Sequence, residues 1–537
     1  MRYTATLLAA AGLICSGSAA PPTRPGPGAG GPGSKNGMRN FIYIVPDGYG
    51  QHSQTMARDY AMLLPPNTTA SNPGPAGFHL AADLLVVGTV RTWASDNLIT
   101  DSAASGTAFA CGYKSYNDAV GITPDGLPVG SILETAHLAG FKTGLVVTST
   151  INHATPAVYA SHAENRDSYE AIAAQEIGYS HPFGSTVDIL MGGGRCYFKP
   201  QNDSTSCRSD DVDLFSFAAS KGFTVMQDRA AFDELNLGEN APLPYIGLFN
   251  DDQMMYEIDR SREPEKEPSL LEMVETALVS LDKAVSGRTP PQSGKPGKPA
   301  GPTDKGYFIM IEASRIDHAG HANDAAAHLY ETLMYNEVMD FVRNWIDEHP
   351  DTMMMSAADH ECGGLTTNGF DPEPLQAAQH SLEYLADLWS EYNGTNIRGF
   401  FVDTILAGAG LSGVLSDEEI DALLAAGEDE ILSTLPDLTA ELAGVNWSTG
   451  GHTAGDINLH AYAAGDRWRE LKADLAGNHD NTELPRYIEK VLGLDMDATT
   501  RKLREAAPFV APADAAKKTK RNVKTRDGHE HGHAHMH

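Results

Sequence analysis

Basic side chains are scarce in this 537-residue chain. Its 39 lysines and arginines stand against 71 aspartates and glutamates, a net charge of −32. So acidic a surface excludes nucleic acid as a partner, because phosphate backbones are held by lysine and arginine. It does not exclude a small phosphorylated substrate, since local cations, metal ions included, outweigh a global field at one site. Long apolar runs are lacking as well. Leu7–Ile14 falls short of the about 20 residues that cross a bilayer, so no membrane span is expected in the mature chain. The polar C-terminus excludes the hydrophobic tail of a glycolipid anchor. No internal repeat is visible. Cysteine is sparse: Cys15 lies in the leader, and only Cys111, Cys196, Cys207 and Cys362 remain.

What is present begins with a secretory signal over residues 1–20. Arg2 gives a positive start, Leu7–Ile14 an apolar core and Ser18-Ala19-Ala20 a cleavage site. The alternative is an uncleaved N-terminal membrane anchor. In an exported chain, Cys196 and Cys207, placed around a polar loop, read as a short-loop disulfide, while Cys111 and Cys362 stay reduced. Residues 21–37 form a flexible Pro/Gly leader. A catalytic domain is expected over 38–500, with insertions at about 286–304 and 370–446, followed by a polar His-rich tail over 501–537. The second insertion is helical in pattern, and its acidic cluster from Asp417 to Glu430 reads as a solvated helix face. Asn67, Asn202, Asn393 and Asn446 open glycosylation sequons.

Five β-type runs punctuate the domain: Asn40–Val45, Lys142–Thr148, Val187–Met191, Tyr307–Ile311 and Thr352–Ser356. Helical patterns such as Leu270–Val285 and Leu329–Glu348 lie between them. The alternation predicts an α/β fold, a largely parallel central sheet with helices on both faces. Asp47, Thr155, Glu312, Asp359 and His360 all follow the ends of these runs, the edge where open α/β sheets bind ligands.

The stretch Ile99–Thr107 reads as a helix start capped by Asp101, with free amides able to face an anion and a hydroxyl, Ser102, among small residues that let a ligand approach. Asp317 and His321, four apart, share a helical face and suit Zn²⁺. His452, behind Gly450-Gly451, is a candidate third ligand, the glycines letting the backbone press close. Asp359 and the adjacent His360 can reach a second metal that Asp47 completes. Glu312 and Thr155 offer only oxygen, which suits Mg²⁺.

The Ser102 stretch resembles the nucleophile signature of the alkaline phosphatases: Ile or Val, any residue, Asp, Ser, four small residues, Thr. The matches run from about Asn40 to about Asp456. The resemblance implies that Ser102 becomes phosphorylated and that Arg166 grips phosphate. It places Asp317, His321 and His452 on a first zinc, Asp47, Asp359 and His360 on a second, and Asp47, Thr155 and Glu312 on one magnesium. His153 and His318 stand where many bacterial members carry Asp and Lys, so the chain resembles animal and fungal members. Both histidines are expected in the outer shell of the metal cluster. The Cys196–Cys207 loop also resembles fungal members. The extra calcium-site residues of the animal enzymes cannot be located.

The expected chemistry is phosphomonoester hydrolysis by a homodimer acting on small substrates through a phosphoserine. A sulfatase would need Cys/Ser-x-Pro-x-Arg, which Ser102-Ala103-Ala104 lacks, and diesterases of this fold usually present threonine. A zinc-storage protein would need neither Ser102 nor Arg166.

Overall fold

The computed structural model describes residues 37–64, 68, 74, 77–286, 305–506 and 508–513. The signal, the leader up to residue 36, the sequon at Asn67, the insertion over 287–304 and the His-rich tail from 514 lie outside the described residues.

Among the described residues fourteen strands form: β1 (Asn40–Pro46), β2 (Val86–Arg91), β3 (Lys142–Thr150), β4 (Ile189–Gly193), β5 (Thr224–Met226), β6 (Tyr245–Leu248), β7 (Tyr307–Ala313), β8 (Thr352–Ala357), β9 (Glu361–Cys362), β10 (Thr366–Thr367), β11 (Val445–Asn446), β12 (His452–Thr453), β13 (Ile457–Ala463) and β14 (Gly477–Asp480). Ten of them make one sheet in the order β14-β2-β13-β8-β1-β7-β3-β4-β6-β5. The pairs from β8 through β1, β7, β3, β4 and β6 to β5 are all parallel, and β13 alone runs against its neighbours β8 and β2. Every residue of β1, β7 and β8 is buried. Strands apolar on both faces must be covered on both, which is why these runs lack alternation.

The five expected runs are all strands of this sheet. β7 extends through Glu312 to Ala313, so Glu312 sits within the strand end rather than after it. The flanking strands went unread because several are short or carry little apolar signal: β14 reads Gly-Asn-His-Asp. The helix expected from Leu329 starts at Ala325, because the Asp324 carboxylate accepts from the amides of Ala326 and Ala327.

Residues 368–444, which span most of the expected second insertion, are bracketed by the antiparallel ribbon of β10 with β11. Their helices bury their own core, including Leu385, Phe401, Ile405, Leu411, Ile420, Ile431 and Leu435. Asp417, Glu418 and Glu419 lie exposed in the first turn of the helix Asp417–Ala426, and Glu419 closes a capping box with Ser416. A disulfide joins Cys196 and Cys207, while Cys111 and Cys362 are free and buried.

Candidate active site and metal centre

Strand ends bring the site together. Asp47 follows β1, Glu312 stands near the end of β7 opposite Val45, and Asp359-His360 follow β8. His153 precedes the helix Ala154–Ala160, which carries Thr155 in its first turn. Gly48 has φ +74°, and a Cβ there would lie 2.4 Å from the Cα of Asp317. Only glycine lets the turn after β1 touch the helix Arg315–His321.

Ser102 opens the helix Ser102–Cys111, as expected, and Asp101 caps it, its Oδ1 accepting from the Ala104 amide at 2.8 Å. The other oxygen of Asp101 accepts from Nη1 of Arg166 at 3.1 Å. One carboxylate thus orders both the serine helix and the arginine fork. Burial works against the charge of Arg166, but Asp101, with Tyr169 and Asp118, outweighs it, so the guanidinium stays charged. The small residues have a packing role besides leaving room at Ser102. All ten residues of the helix are buried, and a Cβ on Gly106 would lie 2.9 Å from Val158 Cγ2.

The Ser102 hydroxyl lies 3.2 Å from His360 Nε2 and 3.4 Å from Asp47 Oδ2. His360 Nε2 is 3.0 Å from Asp359 Oδ2. Asp47, Asp359 and His360 therefore form one cluster of potential metal ligands, all buried. The Thr155 hydroxyl donates to Asp47 Oδ2 at 3.3 Å. Asp47, His153 and Glu312 converge as a second group. Buried Asp47 Oδ1 and Glu312 Oε1 accept no hydrogen bond. Burial, and then the carboxylates of Asp359, Asp317 and Glu312, push the Asp47 pKa far above the usual carboxylate range. Burial likewise pushes Glu312 up to about 7. Such crowded, underdonated carboxylates fit bound cations.

Asp317, His321 and His452 meet in a third group. Nδ1 of His321 lies 2.7 Å from the Gly450 carbonyl, and Nδ1 of His452 lies 2.9 Å from the Thr100 carbonyl. A carbonyl only accepts, so each Nδ1 carries a proton. The two Nε2 atoms then face one another at 3.0 Å with Asp317 beside them. A proton or a metal ion held between the two Nε2 atoms would satisfy both lone pairs, and with Asp317 beside them this donor set fits a metal. Gly450 is tightly placed, its Cβ position 3.2 Å from the His321 carbonyl, whereas Gly451 has ordinary room.

His153 accepts at Nε2 from Arg166 Nη2 at 3.2 Å, and its ring packs edge-on to His318 with centroids 5.5 Å apart. The structure adds residues that sequence reasoning missed. Glu361 accepts from the amides of Gly364 and Leu365 and from the Thr453 hydroxyl, tying β9 to β12. Cys362 joins the group of Asp317, His321 and His452. Their position directly after Asp359-His360 was the available signal. Glu383, from the insertion, reaches Arg315 at 2.7 Å and had no local signal at all. In another buried group, His162 Nε2 hydrogen-bonds Glu134 Oε1 at 3.2 Å and His181 Nε2 lies 2.9 Å from the same oxygen. His181 Nδ1 accepts from the Phe183 amide, which leaves its Nε2 proton facing Glu134.

The alkaline phosphatase family profile matches residues 38–494. The chain is 36% identical to an alkaline phosphatase of Schizosaccharomyces pombe over 493 residues, 89% of this chain and 86% of that protein. It is 37% identical to the repressible alkaline phosphatase of Saccharomyces cerevisiae over 496 residues, 87% of this chain and 83% of that one. Among solved structures, Thermus thermophilus alkaline phosphatase superposes with a TM-score of 0.68 at 26% identity, covering 88% of this chain and 96% of that chain. The chain belongs to the alkaline phosphatase family, metal-dependent enzymes of phosphomonoester hydrolysis.

Proposed function

We propose that this enzyme hydrolyses phosphomonoesters through a phosphoserine on Ser102. Asp317, His321 and His452 would hold one zinc, Asp47, Asp359 and His360 a second, and Asp47, Thr155 and Glu312 a magnesium. The observation that carries the reading is the Ser102 hydroxyl lying between Asp47 and His360 at the start of its helix, with Arg166 fixed by the same Asp101 that caps that helix. When bound, the metal ions supply positive charge that eases loss of the hydroxyl proton and stabilises the departing oxygen. Ser102 Oγ attacks phosphorus in line, forming a Ser–O–P bond as the P–O bond to the leaving alcohol breaks. The planar fork of Arg166 suits two non-bridging oxygens at once. Water then attacks the phosphoserine, releasing inorganic phosphate and restoring Ser102. His153, against Arg166, and His318, against His153, would act from the outer shell of the metal cluster.

Quenching turnover of an aryl phosphate in acid should trap phosphate on the Ser102 peptide. Label on another residue, or none under conditions that accumulate the intermediate, would overturn the phosphoserine. The matching aryl diester should turn over far more slowly than the monoester. Export, by signal or anchor, is supported by the N-terminal stretch and the Cys196–Cys207 disulfide, and no helix among the described residues is long and apolar enough to cross a membrane. A homodimer is part of the same reading, and light scattering of the purified chain would test it.

A further inference from the structure

The group formed by Asp317, His321 and His452 contains a fourth potential ligand. Cys362 offers its sulfur there, and the four donor atoms all lie within 4.8 Å of one another. The placement is built from three sides. Cys362 pairs directly with His452 across the β9–β12 ribbon. Its amide donates to the Gly48 carbonyl at 3.0 Å, in the turn that touches Asp317. The helix carrying Asp317 and His321 meets it through Gly320, where a Cβ would stand 3.1 Å from both Cβ and Sγ of Cys362. Cys362 is fully buried, with its sulfur among these donor atoms.

Independent of the cysteine, the site fits a cation. The two imidazole Nε2 atoms face each other at 3.0 Å, each ring committed at Nδ1 to a carbonyl, and Asp317 Oδ1 lies 3.4 Å from His452 Nε2. We propose that Cys362 is a further protein ligand of this metal site, making it a sulfur-containing centre that favours thiophilic divalent ions such as Cd²⁺. The inference rests on the assignment of Asp317, His321 and His452 as metal ligands. On binding, the Cys362 S–H bond breaks, its proton passes to solvent, and the sulfur's electron pair forms the metal–sulfur bond. Thiolate sulfur selects soft metals over oxygen and nitrogen sets. Zinc expands to five ligands at catalytic sites, so four protein donors still leave room for a substrate oxygen.

The other ligand groups proposed here, around Asp47, contain no sulfur, so a sulfur signature reports on Cys362. The full chain would be stripped of metal with a chelator, reloaded with Co²⁺ and examined by electronic absorption. The wild type should show visible ligand-field bands and, in the near ultraviolet, a sulfur-to-cobalt charge-transfer band. Cys362→Ser should keep the first and lose the second. In competition at equal Cd²⁺ and Zn²⁺, the cadmium-to-zinc occupancy ratio should fall at least about tenfold in Cys362→Ser. Ligand-field bands without the charge-transfer band in the wild type would overturn the proposal, whether or not the variant folds. A band retained by Cys362→Ser would overturn it as well. Absence of any tetrahedral or five-coordinate ligand-field signal would sink the metal assignment itself, and this inference with it.

Discussion

Arg315 donates from Nε to Nδ1 of His318 across 3.3 Å, and its two other nitrogens reach the Met254 carbonyl and the Glu383 carboxylate, both at 2.7 Å. Its guanidinium stacks on Tyr256 at 3.6 Å. A guanidinium cannot accept, so a neutral His318 carries its proton on Nε2. The helical insertion therefore reaches the site through one arginine.

That arrangement sets the cost of a lysine at 318. His318→Lys alone places an ammonium beside Arg315 and should destabilise the protein by about 1–3 kcal/mol. Adding His153→Asp should recover part of the loss, because the two rings are neighbours at 5.5 Å. The double variant should also bind product phosphate more tightly and turn over more slowly at high pH. Thermal melts and phosphate inhibition across neutral to alkaline pH would check both. Additive melts would show that 153 and 318 do not couple, and unchanged inhibition would leave both histidines as packing residues.

Ser102→Ala should lower turnover on the order of a thousandfold or more while metal content stays near wild type. Steady-state rates with an activated aryl phosphate, read beside elemental analysis, provide the measurement. Wild-type turnover in the variant would remove Ser102 as nucleophile.

Chelation should abolish activity, and zinc with magnesium should restore it. Asp317→Ala or His452→Ala should empty the first site selectively, because each removes one member of that donor set only. Metal analysis showing equal loss at all sites would argue against separate ligand groups.

Gly48→Ala combines a left-handed backbone at φ +74° with a Cβ 2.4 Å from the Asp317 backbone. Each contribution is worth about 1–3 kcal/mol, so the variant should melt well below wild type and hold its first metal less tightly. A wild-type melting temperature would show that the turn and the Asp317 helix can part without cost.

Metal removal should change the pH dependence of stability. Glu312, raised by burial to about 7, and Asp47, raised by burial and the neighbouring carboxylates, bind protons in the folded metal-free protein over a range where the unfolded chain has released them. Their contribution is present below the unfolded carboxylate pKa and is lost as pH rises through the folded values. Stripped protein should therefore fall further behind loaded protein in melting temperature from pH 5 to pH 8. A gap that narrows over that range would contradict the assignment.

The sequence by itself determined the central strands, the capped Ser102 helix and the carboxylate and histidine side chains at strand ends, because these rest on local chemistry. Apolar runs such as Asn40–Val45 and Tyr307–Ile311 have one stable use in a chain of alternating strands and helices. Asp101 beside a run of small residues makes a cap without help from distant parts of the chain. Only the tertiary structure decided that β13 enters between β8 and β2 against the common direction, since edge and reversed strands are fixed by pairing partners rather than by their own residues. It alone brought Cys362 opposite His452 and Glu383 onto Arg315, contacts 90 and 68 residues apart in the chain. The physical reason is that a side chain's chemistry is written in the sequence, whereas its neighbours are set by which backbone can approach which. Here the open faces of Gly48 and Gly320 permit that approach.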